Sequence, residues 1–325
     1  MGMTHSLIHI LIKWLDLLAL TPLVGIFICN LFMPSPSSPK QLYPSQGTLP
    51  IRLSILILGM TTLAELIVRA MMMSGRPFFA LHLVIPSVIT RTYFGPVLAL
   101  RFSLVVLLGF ILMTQKESAV KKWIDGMLLA ALCLTTSLLG HAGGQGTFTM
   151  HVLIDTLHLI AISAWIGGLF FLIFNLPKQL ASEGDKTLFL TDAIARFSTI
   201  ATTSVGILIV TGIGNSFFQI NSPGLLLHTA YGKVLLLKWG FLLPMLLLGF
   251  TNKYIVLPKF QEHCKRKKAN RLIDTILKYA RVSNTPFDLS NLFFRLIKTE
   301  AVLGVAILLL TACLTQLSPP PRHLP

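Results

Sequence analysis

Long apolar stretches recur along the whole chain, and they constrain the fold more than any other feature. About 20 helical residues match the thickness of a bilayer core. Stretches of about this length lie at roughly 8–32, 51–73, 94–114, 123–140, 151–176, 197–219, 233–256 and 299–317. Only 12% of the 325 residues are charged, and the loops are too short for a soluble catalytic domain. The sequence predicts an all-α polytopic transmembrane helix bundle of about eight spans, and no enzyme.

Basic residues gather in the loops, and the densest group lies within 259–298. The positive-inside bias predicts that this loop is cytoplasmic. Counting the spans from it places 33–50, 115–122 and 178–196 inside as well. The uncharged loop 141–150 and both termini then lie outside. The net charge of +15 is explained by this topology and does not require a nucleic-acid partner.

Histidines are distributed unevenly in this topology. Eight of the nine fall at or near the outer side, and only His263 lies inside. The outer histidines are His5, His9, His82, His141, His151, His158, His228 and His323. An isolated histidine at a membrane surface is commonly a simple interfacial side chain, and His5, His9, His228 and His323 fit that description.

The segment beginning at His151 carries two imidazoles and a carboxylate into an apolar span. At helical spacing His151, Asp155 and His158 share one face, where such side chains are costly unless they have a function. A carboxylate beside an imidazole is the usual arrangement for orienting a metal ligand. We therefore predict a metal site at the outer membrane edge, with Asp155 as the orienting group rather than a ligand.

Neighbouring residues add further candidate ligands. His141 lies in a glycine-rich turn that permits close approach to an ion, although glycines also simply permit a turn. Met150 precedes His151, and Met73 ends a run of three methionines at an outer helix end. Such a run also suits packing against lipid. Imidazole with thioether favours copper, and methionine favours Cu(I) in particular. The predicted ligands of a copper ion, Cu(I) or Cu(II), are His141, His151, His158, Met150 and Met73.

Several other polar residues lie inside predicted spans. Glu65 and Arg69 are four residues apart and are expected to neutralise each other. Gly167 and Gly168 should let a neighbouring helix approach closely, which makes Trp165 a packing residue. The remaining charged residues in spans are Lys13, Asp16, Arg101, Lys238 and Glu300.

The segment 77–90 is apolar but only about half as long as a span, and Pro86 interrupts it. We expect it to be an interfacial or re-entrant segment on the outer side, where it would bring His82 toward Met73 and His151.

Short motifs occur in a fixed order over about 92–320. They are Thr92-Tyr93-Phe94-Gly95 to Arg101, Gly140-His141-Ala142, Asp155-x-x-His158 to Trp165-Ile166-Gly167-Gly168, Arg196-Phe197-Ser198, Thr211-Gly212 with Asn215, Tyr231-Gly232-Lys233 to Lys238, Asn252 before Pro258, and Glu300 ahead of Pro319-Pro320. This ordered set resembles the copper resistance D (CopD) family of bacterial inner-membrane proteins.

The resemblance implies copper passage across the inner membrane toward the cytoplasm, alongside a small periplasmic copper-binding protein of the CopC type. It divides the chain into an N-terminal membrane region, 1–90, with two spans and the interfacial segment, and a CopD-like region, 91–325, with about six spans. Two other functions remain open. One is a membrane cytochrome that ligates b-type haem through histidines of two helices. The other is a structural or sensory subunit that leaves the histidines unused.

Overall fold

The computed structural model describes residues 2–33, 49–113, 118–140, 143, 149–181, 185–219, 224–265, 271–279 and 285–317. This part of the chain is all helical and contains no strand, which confirms the predicted fold class. The helices are α1 Gly2–Phe32, α2 Leu49–Ser74, a 3₁₀ helix Phe78–Leu83, α3 Ile85–Arg91, α4 Phe94–Met113, α5 Ala119–Leu138, α6 Met150–Phe174, α7 Leu176–Ala181, α8 Lys186–Gln219, α9 Gly224–His228, α10 Ala230–Thr251, a π-helical turn Asn252–Val256, α11 Leu257–His263, α12 Arg271–Tyr279 and α13 Pro286–Leu314.

Seven segments of the described residues are long and apolar enough to cross a membrane. They are Ser6–Phe32, Pro50–Ser74, Phe94–Leu112, Met150–Ala181, Lys186–Phe217, Ala230–His263 and Pro286–Leu314. Each corresponds to one of the eight predicted spans. Large apolar side chains on them remain exposed, such as Phe110 at 68% and Val302 at 69%, as expected of a surface in contact with lipid.

The predicted span at 123–140 is the one that does not qualify as a membrane segment. It corresponds to α5, whose first two turns carry Lys121, Lys122 and Asp125 and so lower its hydropathy. Lys121 and Asp125 lie 3.8 Å apart as a mostly buried ion pair. The helix has 20 residues, which is about 30 Å of helix. Its length thus suits a span even though its composition does not, and it packs between α1, α4 and α6.

Helices α1 and α6 form the centre of the bundle and cross at backbone contact. A Cβ atom added to Gly167 would lie 2.1 Å from the carbonyl oxygen of Thr21, and one added to Gly25 would lie 2.2 Å from the carbonyl carbon of Gly167. Only glycine permits this approach. The expected close packing at Gly167 and Gly168 is therefore confirmed, and Gly25 is the partner that it required.

A buried ion pair ties α1 to α4 and α5. Arg101 donates to both oxygens of Asp16, at 2.8 and 2.9 Å, and to the carbonyl oxygen of Leu132 and the hydroxyls of Thr135 and Thr136. Its exposed fraction is 1%. The predicted pair of Glu65 and Arg69 also forms, at 2.7 Å.

The segment after α2 folds into the short 3₁₀ helix and α3, which pack on α2 and α4. Pro86 occupies the first turn of α3, where a missing amide hydrogen costs nothing. His82 is exposed, and its Nδ1 hydrogen-bonds the carbonyl oxygen of Phe79 at 2.9 Å.

Candidate functional site

A cavity of about 790 Å³ lies beside the central helix pair. Its wall comes from α1, α5, α6, α8, α10 and α13, and α8 and α10 contribute long apolar stretches to it. The polar side chains in this wall are Lys13, Thr136, Asp155, His158, Asn215, Ser216, Tyr231, Lys238, Thr311 and Thr315. Most of them come from the helix ends that the predicted topology places outside. The deeper lining, which includes Ile166, Leu242 and Met245, is largely apolar.

His158 is held in one tautomer by α8. Its Nδ1 lies 2.9 Å from the hydroxyl of Thr211. That hydroxyl lies 2.6 Å from the carbonyl oxygen of Ile207, to which it donates its single hydrogen. The Thr211 oxygen must therefore accept from the Nδ1 hydrogen of His158. Nε2 is left with its lone pair, which is the form of imidazole that binds a metal.

Asp155 lies one helical turn before His158 and lines the same cavity. The amide nitrogen of Asn215 donates to its carboxylate at 3.4 Å, and the amide oxygen of Asn215 is buried and has no hydrogen-bond partner among the described residues. Lys238 enters the cavity from α10, near enough for its charge to act on both Asp155 and His158. The positive charge of Lys238 therefore offsets the negative charge of Asp155, so the cavity does not carry a net negative charge from these two residues.

The cavity floor is formed by Trp165, which is 2% exposed. Its indole nitrogen donates to Glu300 at 2.7 Å, so Trp165 does more than the predicted packing. Glu300 is 1% exposed and also hydrogen-bonds the side chain of Asn252. No cation lies within ion-pair distance of Glu300 in the described part of the chain. Two helices, α6 and α13, are thus joined below the cavity by a carboxylate.

Asn252 begins the π-helical turn that follows α10. Pro258 has no amide hydrogen to donate to the preceding turn, and the backbone N–H of Leu257 bonds the carbonyl oxygen of Asn252 instead. This widened turn brings the Asn252 side chain to Glu300. Such turns are frequent at functional sites.

The structure brings together some of the sequence-predicted site residues but not all. Asp155 and His158 share the cavity wall, whereas His151 is buried at 2% exposure and is not part of that wall. Met150 and Met73 are exposed, at 64% and 57%. His141 lies outside the described residues. Within the described chain, no group of three or more histidine, cysteine or acidic side chains is arranged to hold a metal ion.

Two cavity residues that bear on chemistry were not among the predicted site residues, although Asn215 was named as part of a motif. Met245 is fully buried in the cavity floor and offers a thioether, and Asn215 contacts Asp155. A sequence signal existed for Asn215 alone, because it stands four residues after Thr211 on the same face of α8. Met245 gives no such signal, since its position follows from how α10 packs.

Fold and cavity define a polytopic all-α membrane protein with a largely apolar cavity that carries polar side chains toward one end and a buried carboxylate beneath it. Two family models match this chain: "Copper resistance protein D-like, N-terminal domain" over residues 3–150 and "Copper resistance protein D" over residues 191–314. The chain belongs to the copper resistance D family. The match from residue 3 extends the family likeness into the first ninety residues.

A curated relative is similar to this chain. It is the "Copper transport protein CutJ" of Bacillus subtilis (strain 168), 33% identical over 194 residues. The aligned region covers 60% of this chain and 30% of that relative, so the chain spans less than a third of the relative's length. No solved structure matches the chain.

Proposed function

We propose that the protein carries copper across the bacterial inner membrane toward the cytoplasm and thereby serves copper homeostasis or resistance. Membership in the copper resistance D family and the likeness to a copper transport protein support copper as the cargo. The observation that carries the proposal is the state of His158. Its Nδ1 is committed to Thr211, and its Nε2 lone pair remains for a metal in a cavity that also holds a carboxylate.

Copper enters the cavity from the outer side and binds Nε2 of His158. Asp155 lowers the electrostatic cost of a cation beside Lys238, and the thioether of Met245 receives Cu(I) at the floor. Conduction requires sites that bind weakly enough to release the ion, and a single imidazole near an ammonium group satisfies that condition. His141, His151, Met150 and Met73 remain our predicted outer ligands, which deliver the ion to this cavity.

Copper accumulation in cells tests the assignment. At matched expression, His158→Ala should nearly abolish uptake because it removes the proposed donor. Asp155→Asn keeps a hydrogen-bonding group and should cost about 10–100-fold in copper affinity, the usual scale for loss of an orienting partner. His263→Ala, an exposed position at the end of α11, is the control and should transport like the parent. Uptake by His158→Ala at the parental rate would refute the cavity assignment.

Spectroscopy of the purified protein tests the cytochrome function. A copper carrier should bind copper and show no Soret band. A strong Soret band with stoichiometric iron would establish haem binding in its place.

Vesicles test the direction of transport and the partner. We expect a periplasmic copper-binding protein of the CopC type to deliver the ion. Right-side-out vesicles should accumulate radioactive copper from the loaded partner, whereas inside-out vesicles should not. Accumulation in the inside-out vesicles alone would mean export.

A further inference from the structure

The outer ends of α1 and α2 bring an imidazole and a thioether together. Nε2 of His9 lies 3.0 Å from Sδ of Met72, although the two residues are 63 positions apart. His9 is 9% exposed, and Met72 is 58% exposed. A buried imidazole thus meets a sulfur atom that is open to the surroundings of the bundle.

Met73 provides an internal comparison. It is 57% exposed, almost the same as Met72, and it stands next to Met72 in the same run of methionines. Contact with lipid explains the exposure of both residues equally well. It does not explain why the sulfur of Met72 is directed to an imidazole nitrogen, and that contact distinguishes the two positions.

We propose that His9 and Met72 form a Cu(I) site at the outer end of the bundle, separate from the cavity. Imidazole and thioether are both ligands that copper accepts, and the thioether selects the reduced ion. Two donors on one metal would stand about 3.5–4.3 Å apart, judged from metal–nitrogen and metal–sulfur bonds of about 2.0 and 2.3 Å. The exposed, flexible Met72 side chain can open the present 3.0 Å contact by that amount.

The position of this site suits capture of the ion before it reaches the cavity. His9 lies one helical turn before Lys13 on α1, and Lys13 lines the cavity and donates to the carbonyl oxygen of Thr136 at 3.5 Å. The ion would move about one turn, 5.4 Å along the helix axis, from the outer site to the level of Lys13. The role of this site in transport rests on the proposed function, but its ability to bind Cu(I) does not.

Titration of the full-length protein in nanodiscs with Cu(I), against a competing chelator, tests the site. Met72→Leu conserves volume and should preserve the fold, yet it should weaken the outer site at least about tenfold and remove that site's contribution to the copper–sulfur signal in X-ray absorption. Met60→Leu, at a similarly exposed position on the same helix, is the matched control and should leave both unchanged. Met72→His restores a donor and should restore binding at the outer site through nitrogen instead of sulfur.

The His158→Ala variant separates this proposal from the cavity assignment. It should lose uptake and retain the Cu(I)–sulfur signal of the outer site. If Met72→Leu binds Cu(I) like Met60→Leu, the outer site is refuted, whatever His158→Ala does. If Met72→Leu alone loses binding while His158→Ala transports normally, the outer site stands and the cavity assignment fails.

Discussion

Arg101 shows how the bundle accommodates a charge in its interior. Its guanidinium group contacts a carboxylate, a backbone carbonyl and two hydroxyls, so both terminal nitrogens of its planar fork meet acceptors. Thr61 donates a further hydrogen bond to Asp16 at 3.0 Å. Removing one member of such a pair leaves the other charge uncompensated, and this costs more than the pair itself contributes.

Replacement of Arg101 by methionine should therefore lower the free energy of unfolding by about 3–5 kcal/mol, because Asp16 remains buried without its cation. The double variant with Asp16→Leu should recover much of the loss. Thermal unfolding in detergent measures both. The exposed Arg52→Met is the control, and equal loss in the single and double variants would contradict this account.

Thr211 acts through His158, and its role can be isolated by substitution. Thr211→Val removes the acceptor that fixes the Nδ1 hydrogen and should reduce copper affinity about 10–100-fold, whereas Thr211→Ser should keep it. The exposed Thr199 also bonds the carbonyl four residues earlier but contacts no histidine, so Thr199→Val on the same helix should have no effect. Copper titration of the three variants gives the answer. If Thr211→Val bound copper as tightly as the parent, Thr211 would not control copper binding through the tautomer of His158.

At the scale of elements, the crossing of α1 and α6 depends on glycine. The backbone of Thr21 occupies the space that a methyl group on residue 167 would need, and backbone moves less readily than a side chain. By contrast, a Cβ atom at Gly206 of α8 would meet nothing within 4 Å.

Gly167→Ala should thus destabilise the bundle by about 1–3 kcal/mol, the usual cost of overpacking. Gly206→Ala should be neutral or slightly stabilising, since alanine favours the helix. The midpoint of thermal unfolding in detergent reports on both variants. Similar unfolding midpoints for Gly167→Ala and Gly206→Ala would contradict this account, because α1 and α6 could then move apart without loss of stability.

For the whole molecule, the open point is whether α5 crosses the membrane. With α5 as an eighth span, reporter fusions at positions 116 and 270 should be cytoplasmic, and fusions at position 146 and at the C-terminus should be periplasmic. The first two turns of α5 would then place their lysines on the inner side, in agreement with the positive-inside bias. Fusions at 116 and 146 that report the same side would remove α5 from the spans and place the termini on opposite sides.

The features predicted correctly from the sequence are those that depend on residues close to one another in the chain. Seven spans follow from hydropathy, and the Glu65–Arg69 pair follows from a separation of four residues on one helix. The pair of Asp16 and Arg101 spans 85 positions, and the contact of His158 with Thr211 spans 53. Such partners depend on which helices are neighbours and on their rotation, and hydropathy carries no information about either. The same applies to Met72: the sequence analysis chose Met73 from the same methionine run, and the structure places the sulfur of Met72 against His9.

The glycine contact between α1 and α6 also restricts how the protein can move. Two backbones in direct contact cannot slide or separate without losing that fit, so α1 and α6 should move together as one rigid pair. Helices α8 and α10, which also line the cavity, are less enclosed by the bundle. The buried share of the membrane-spanning stretch is 67% for α6, 22% for α8 and 11% for α10. Passage of an ion past Trp165, as proposed, would therefore need α8 and α10 to move relative to this pair, while the hydrogen bond from Trp165 to Glu300 links the pair to α13.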